Sequence, residues 1–288
     1  MPGSTTSGNT TRSGESSSIL NPHYRNHYLK PNNINFLSVM DRVPEAQQTL
    51  VRNMLKSTNK SFALSNPNIS HLENNVAESD VETFFNTGCT EHKILLDDYL
   101  ILATHKRLPM LSEAVPNVSE KRLITPTPNL LSGYHNSAFE DDIQLLALER
   151  VANGKDLLYP FLAIHFVGEK GNMWNATNQC LGALATSTNL VEQLNIRLLQ
   201  SGRPQCNLIN STTWGLAMNG AEARLFVCWK QGEMFQIRTV QCIHFRGSSL
   251  HTLWHFVENI LKWGTDERLE EIRGGLKELA NPQSAGDE

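Results

Sequence analysis

The stretch Leu157-Leu158-Tyr159-Pro160-Phe161-Leu162-Ala163-Ile164-His165-Phe166-Val167 decides the fold. It is an apolar run bounded by Asn153-Gly154 before it and Gly168 after it. Its length and its aromatic and β-branched content suit a strand buried on both faces at the centre of a sheet. Beyond a loop over 168–172, a helical pattern runs from 173 to about 199 and stops at Ser201-Gly202-Arg203-Pro204. Asn175, Thr177, Asn178 and Gln179 make its start unusually polar for a plain core helix. Downstream, 213–218, 223–229 and 234–245 alternate as strands, and Asn219-Gly220 and Gln231-Gly232 supply hairpin turns. Ser248 or Ser249 then caps a helix that runs to Trp263 and ends at Gly264, and Thr265-Asp266-Glu267 starts a second.

Upstream of the central run, 41–56 reads as a helix, because Pro44 suits a first helical position and Val43, Leu50, Val51, Met54 and Leu55 recur at helical spacing. Ser79-Asp80-Val81-Glu82 has capping-box spacing and opens a short helix through Phe84 and Phe85. Ser137-Ala138-Phe139-Glu140 repeats that spacing before a helix with Ile143, Leu146 and Val151 on one side, ended by Asn153-Gly154. The apolar segment 93–103 stays open between helix and strand. Pro109, Pro116, Pro126 and Pro128 punctuate the stretch between that segment and the second capping box, and the last two force extended backbone on Thr125 and Thr127. Residues 1–38 are polar and low in complexity, so a disordered tail is expected there, with one domain over 39–282. Helices interrupt the strands, so the class is α/β (α+β), a mixed sheet flanked by helices.

Composition narrows the function. Twenty-five Lys+Arg against 29 Asp+Glu leave a net charge of −4, which gives no global pull toward phosphate backbones; a nucleic-acid binder would need a local basic groove. No apolar run approaches the roughly 18–20 residues that span a bilayer. Residues 1–18 lack the apolar segment of a secretory signal. An intracellular protein, cytoplasmic or nuclear, without membrane contact is expected. Cys89, Cys180, Cys206, Cys228 and Cys242 contain no C-x-x-C pair and read as reduced, mostly buried thiols.

His251 and His255 lie one helical turn apart, as zinc ligands do, but Thr252 stands where a metalloprotease needs its general base and no third ligand is supplied by spacing. Half-buried structural histidines are the better reading. The charged run 266–278, with Arg268, Arg273 and Lys277, reads as a solvated helix face. The five tryptophans sit inside apolar patterns and read as core. No phosphate-binding glycine loop and no G-x-S-x-G elbow occurs.

A central strand feeding a polar-started helix, with a Pro-Asx turn upstream, is the layout of a metal-dependent nuclease core. In that chemistry an Asp and a Glu on adjacent strands hold Mg²⁺, and a Lys two residues after the Glu positions the attacking water. The period of two places Glu and Lys on one strand face.

The runs Thr127–Tyr134, Tyr159–Val167, Trp174-Asn175-Ala176-Thr177-Asn178-Gln179-Cys180-Leu181-Gly182, Ala217–Leu225 and Ile260–Arg268 resemble a large fungal domain family with a PD-(D/E)XK nuclease-like fold. The resemblance is strongest over 127–275 and implies a restriction-endonuclease-like mixed sheet. Where that family reads Pro-Asp-Leu, this chain has Pro128-Asn129-Leu130; where it reads Glu-Phe-Lys, this chain has His165-Phe166-Val167. Gln179 matches a family position. A neutral amide, an imidazole and an isopropyl group then stand for two carboxylates and a cation. If each change costs on the order of 2–4 kcal/mol of transition-state stabilisation, turnover is nearly abolished. The leading expectation is a non-catalytic binding or accessory protein with a degenerate site at Asn129, His165, Val167 and Gln179. One rival is a divergent metal-dependent nuclease whose site has migrated to Glu169, Lys170 or Glu192, or to Glu78 or Glu82 upstream. Another is an accessory protein of a fungal biosynthetic or interaction pathway. No cofactor is expected, Mg²⁺ or Mn²⁺ entering only with the divergent nuclease, and the partner stays open between nucleic acid and protein.

Overall fold

The computed structural model describes residues 19–57, 72, 76–91, 94, 100–102, 109–149, 151–153, 156–169, 171–201, 207–245 and 250–281. In chain order the main elements are β1 (Ile34–Phe36), α1 (Glu45–Met54), α2 (Glu78–Glu91), β2 (Leu100–Leu102), β3 (Leu130–Tyr134) and α3 (Asp141–Leu148). Then come β4 (Leu158–Phe166), α4 (Met173–Gln200), β5 (Thr213–Met218), β6 (Glu222–Gln231), β7 (Met234–His244), α5 (Leu250–Trp263) and α6 (Leu269–Ala280). The strands form one mixed seven-stranded sheet in the order β1-β7-β6-β5-β4-β3-β2.

β4 is the predicted central strand, and all nine of its residues are buried. It pairs antiparallel with β3 and parallel with β5. A parallel neighbour requires a crossover over one face of the sheet, and α4 is that crossover. Pro160 cannot donate to a ladder. The register shift between Ser132 and Tyr134, with Tyr159 at φ 42°, lets the strand pass this point. Gly133 sits at the shift because a Cβ there would lie 2.7 Å from the Leu158 carbonyl oxygen.

Each sheet face has its own core. On one, α4 packs Cys180, Leu181 and Leu184 with Leu131, Ala163, Ala217 and Phe226 from the strands. On the other, α2, α5 and α6 bring Phe85, Trp254, Ile260 and Ile272 against Ile164, Phe166, Trp214 and Leu216. Trp214, Trp229, Trp254 and Trp263 are buried, as their apolar settings predicted, whereas Trp174 is partly exposed.

Several local expectations need correction. The tail expected to be disordered to residue 38 folds onto the body from Ile19 onward; residues 1–18 lie outside the described ones. Ile19, Tyr24, Leu29 and Ile34 are buried in the α4-side core, and β1 adds parallel to β7. Asn32, fully buried, bonds the carbonyls of Tyr28 and Lys121 and the amides of Val118 and Ser119, so the segment is bolted to a distant loop. Ser137 lies in a 3₁₀ turn, Asn136–Ala138, and α3 starts only after extended Phe139. Ser79 falls inside α2; the cap is made instead by the Asp80 carboxylate, which accepts the Ala77 N–H at 2.7 Å. Of 93–103, the described strand is β2.

Gly264 does not end a helix. It opens a π-helical turn, Gly264–Arg268, that joins α5 to α6, and its bare Cα allows Phe161 to approach. Arg268, expected on a solvated face, is fully buried, and its Nη1 donates to the carbonyls of Asn210 and Thr212 at 3.0 Å each.

Cys89, Cys180, Cys228 and Cys242 are free thiols, and Cys206 lies outside the described residues. Burial pushes the Cys89 and Cys228 thiols up to about 12 and raises Cys180 further. The thiolate is the reactive form, so a raised pKa slows alkylation at any lower pH. Brief iodoacetamide treatment of the native protein at pH 8 is expected to label exposed Cys242 well before Cys89, Cys180 or Cys228. All should label once the chain is unfolded without reductant. Peptide mass mapping checks the order.

Candidate functional site

The β3–β4 register ends with Leu130 opposite Ile164, and Asn129, just before β3, bonds back to the backbone of Ile164 and Phe166, the residues on either side of His165. This corner lies where β4 ends and the chain turns into α4. Asn129 and His165 are 5% and 2% exposed. Both residues thus lie at the same end of the β3–β4 pair.

Asn129 joins three elements. Its Nδ2 donates to Glu78 Oε1 at 2.6 Å, its Oδ1 accepts the Phe166 N–H at 3.0 Å, and its own N–H reaches the Ile164 carbonyl at 3.0 Å. An amide fits this place for a definite reason: it presents a donor to the carboxylate and an acceptor to the backbone. An Asp here would set two carboxylates against each other unless a cation lay between them. Glu78 is the first residue of α2, where the helix dipole favours negative charge. The loop after β4 packs tightly against that helix start. Glu169 N–H bonds the Val76 carbonyl at 2.8 Å, and a Cβ on Gly168 would lie 2.6 Å from the same oxygen.

The remaining predicted residues divide. Val167 follows β4, bonds the Met218 carbonyl through its N–H and packs its side chain against the α4-side core. Gln179 Nε2 donates along α4 to Asn175 Oδ1 at 3.2 Å and makes no bond to Asn129. Glu169 is exposed and flanks the corner. Lys170 lies outside the described residues. Glu192, beside Asn195 on α4, lies roughly 21 Å along the helix axis from Asn178. That takes it away from the corner. Glu82 sits one turn into α2, and the carboxylate that Asn129 bonds is Glu78 instead.

Of Glu78, Asn129, His165 and Val167, only Glu78 carries a carboxylate. Asn129 turns its carbonyl oxygen to a backbone amide, an imidazole nitrogen is a poor ligand for hard Mg²⁺, and valine has no donor. Among the described residues no three His, Cys, Asp or Glu side chains come together as a metal site. These residues do not fit Mg²⁺. The histidine pair fares no better as a zinc site: His255 is buried with Ser57 Oγ 3.3 Å from its Nε2, and its ring meets His251 edge-on at 6.1 Å.

The start of α4 holds groups that motif reading passed over. Asn172 Oδ1 caps the helix through the Trp174 N–H at 2.8 Å. Asn178, fully buried, accepts from Arg25 Nε at 2.8 Å and donates to the Ile19 carbonyl at 3.2 Å. Thr177 is 2% exposed, and its hydroxyl has no hydrogen-bond partner among the described residues. The polar start of this helix was the visible signal for Asn178. Arg25 had none, lying in a segment that reads as disordered. Among the described residues no helix is long and apolar enough to cross a membrane.

A family model described as a domain of unknown function, DUF7924, matches residues 40–276. No curated protein and no solved structure matches the chain.

Proposed function

The chain belongs to the DUF7924 family, and from that premise we propose that it is a nuclease-like fold with a degenerate metal site, acting by binding or as an accessory rather than by cleaving phosphodiesters. The observation that carries this reading is the Asn129 amide, held between Glu78 Oε1 and the Phe166 N–H. A Mg²⁺ site calls for charged oxygens, and this side chain offers one neutral oxygen that already accepts a backbone N–H. His165 and Val167 beside it offer neither a hard oxygen nor a cation. The sheet adds support. An antiparallel β2-β3-β4 run, a crossover helix and parallel β5 agree with the restriction-endonuclease-like sheet implied by the resemblance to the fungal nuclease-like family.

One observation favours the divergent nuclease as a second reading. Glu169 docks its backbone on Val76, two residues before Glu78, so two acidic residues flank the same corner. Calorimetric titration with Mg²⁺ and Mn²⁺ separates the two. The first reading expects no saturable heat from the wild type. It also expects Asn129→Asp to lose about 1–3 kcal/mol of stability, since a bonded amide becomes a repelled carboxylate, and Mg²⁺ to restore part of that loss. The triple change Asn129→Asp, His165→Glu, Val167→Lys rebuilds two oxygen ligands and a cation and should bind Mg²⁺ weakly. A wild type that binds Mg²⁺ with a dissociation constant below about 1 mM, and loses it on Glu78→Gln or Glu169→Gln, supports the divergent nuclease instead.

A further inference from the structure

We propose that Arg25 and Arg224 form a binding site for a phosphoryl group on the α4 face of the sheet. Arg25 precedes β1 and lies outside the family match. Its guanidinium carbon is 4.0 Å from the Trp174 ring centre and 4.5 Å from that of Phe36. Its Nε donates to Asn178, whose amide is itself anchored on the Ile19 carbonyl. Two aromatic rings and one amide thus fix the guanidinium while its Nη1 and Nη2 have no acceptor among the described residues.

Arg224 reaches the same region from β6. It lies opposite Ala217 of β5, which lies opposite His165 of β4. Its Nε and Nη2 share Glu222 Oε1 at 3.0 and 2.6 Å, and its Nη1 has no acceptor among the described residues. Burial, and then the charge of Arg224, hold the Arg25 guanidinium down at about 10. Glu222 offsets one of the two cations, so one charge remains uncompensated at a half-buried place. An anion placed there would meet that charge where solvent screens it only in part.

The geometry selects the anion. A carboxylate is planar, and one guanidinium fork satisfies it. The Nη1–Nη2 fork of Arg25 and the single Nη1 donor of Arg224, from separate elements, suit a tetrahedral group whose oxygens lie in more than one plane. A phosphoryl group has that shape and carries one to two negative charges near neutral pH. Neither arginine bonds Asn129 or Glu78, so the phosphoryl site is independent of whether the metal site is degenerate.

The test is titration of the full chain with inorganic phosphate against chloride at matched ionic strength, followed by calorimetry and by thermal unfolding. A saturable phosphate heat with a dissociation constant on the order of 1 mM, and a melting temperature that rises with phosphate but not chloride, is expected. Arg25→Gln and Arg224→Gln should each weaken the affinity by about tenfold or more, as loss of one charged partner does. Arg224 is 36% exposed, so its variant folds even if Arg25→Gln does not, and it then carries the comparison alone. A second arm uses a thymidine oligonucleotide without terminal phosphates. Binding that falls in the same variants assigns the phosphoryl group to a nucleic-acid backbone, and phosphate binding alone assigns it to a small ligand. No heat from either probe beyond chloride, or equal affinities in wild type and Arg224→Gln, would overturn the proposal. The Mg²⁺ titration reads Glu78 and Asn129, neither of which bonds either arginine, so the two readings fail separately.

Discussion

A chain beginning at Asp41 is expected to lose cooperative folding, whereas a chain beginning at Ile19 keeps it. The difference is the segment that carries Ile19, Tyr24, Leu29 and Ile34, each buried in the α4-side core. Burial of side chains of this size contributes about 1.5–3 kcal/mol each. Four of them therefore approach the whole stability of an ordinary domain, about 5–15 kcal/mol. The deletion also bares the β7 edge that β1 covers and leaves the partners of Asn32 without their bonds. Urea titration followed by far- and near-ultraviolet circular dichroism reads the result. A sharp transition in the Asp41 chain, with a midpoint close to that of the Ile19 chain, would show that the segment is an ornament.

Gly264→Ala is expected to destabilise the protein by about 3 kcal/mol, the upper end of what overpacking a core ordinarily costs. Its Cβ would lie 2.2 Å from Phe161 Cζ. The ring cannot retreat: Phe161 is fully buried, with Tyr134 at 5.5 Å and Trp263 at 6.2 Å between ring centres. The Gly264 carbonyl also accepts the Tyr134 hydroxyl at 2.7 Å, so a shift of the turn breaks a buried bond. Phe161→Leu in the same chain frees space and should recover part of the loss. Equal destabilisation with and without Phe161→Leu would place the cost in the backbone of the turn rather than in the contact.

Continuous signals were legible in the sequence. The 157–167 run became β4, the 173–199 pattern became α4, and the late hairpin strands appeared within a few residues of their predicted ends. The first segment was not, although Ile19, Tyr24, Leu29 and Ile34 recur every five residues. Neither the helical nor the strand period responds to that spacing. Part of it is a π-helical turn, Arg25–Leu29, and its stability comes from tertiary partners far along the chain. Gly264 misled for a related reason: a glycine after a helical run reads as a terminator, and only the position of Phe161 turns it into a contact point.

The candidate site was legible as a pair and not as a network. Asn129 and His165 come from motif positions, and the fold places Asn129 against the backbone of the residues that flank His165. Glu78 lies 51 residues upstream of Asn129, and in the sequence it is one carboxylate among several; only the fold bonds the two. Glu192 was the converse case, an acidic residue on the right helix but about four turns too far along it. Arg25 and Asn178 are 153 residues apart, and their contact has no local trace.

The most direct measurement is a cleavage assay of the wild-type chain on single-stranded DNA, double-stranded DNA and RNA with Mg²⁺ or Mn²⁺. A degenerate site predicts no product above a chelator-treated control on any of the three. Metal-dependent cleavage that disappears on Glu78→Gln or Glu169→Gln, with folding intact, would contradict the degenerate site and place a working one at this corner.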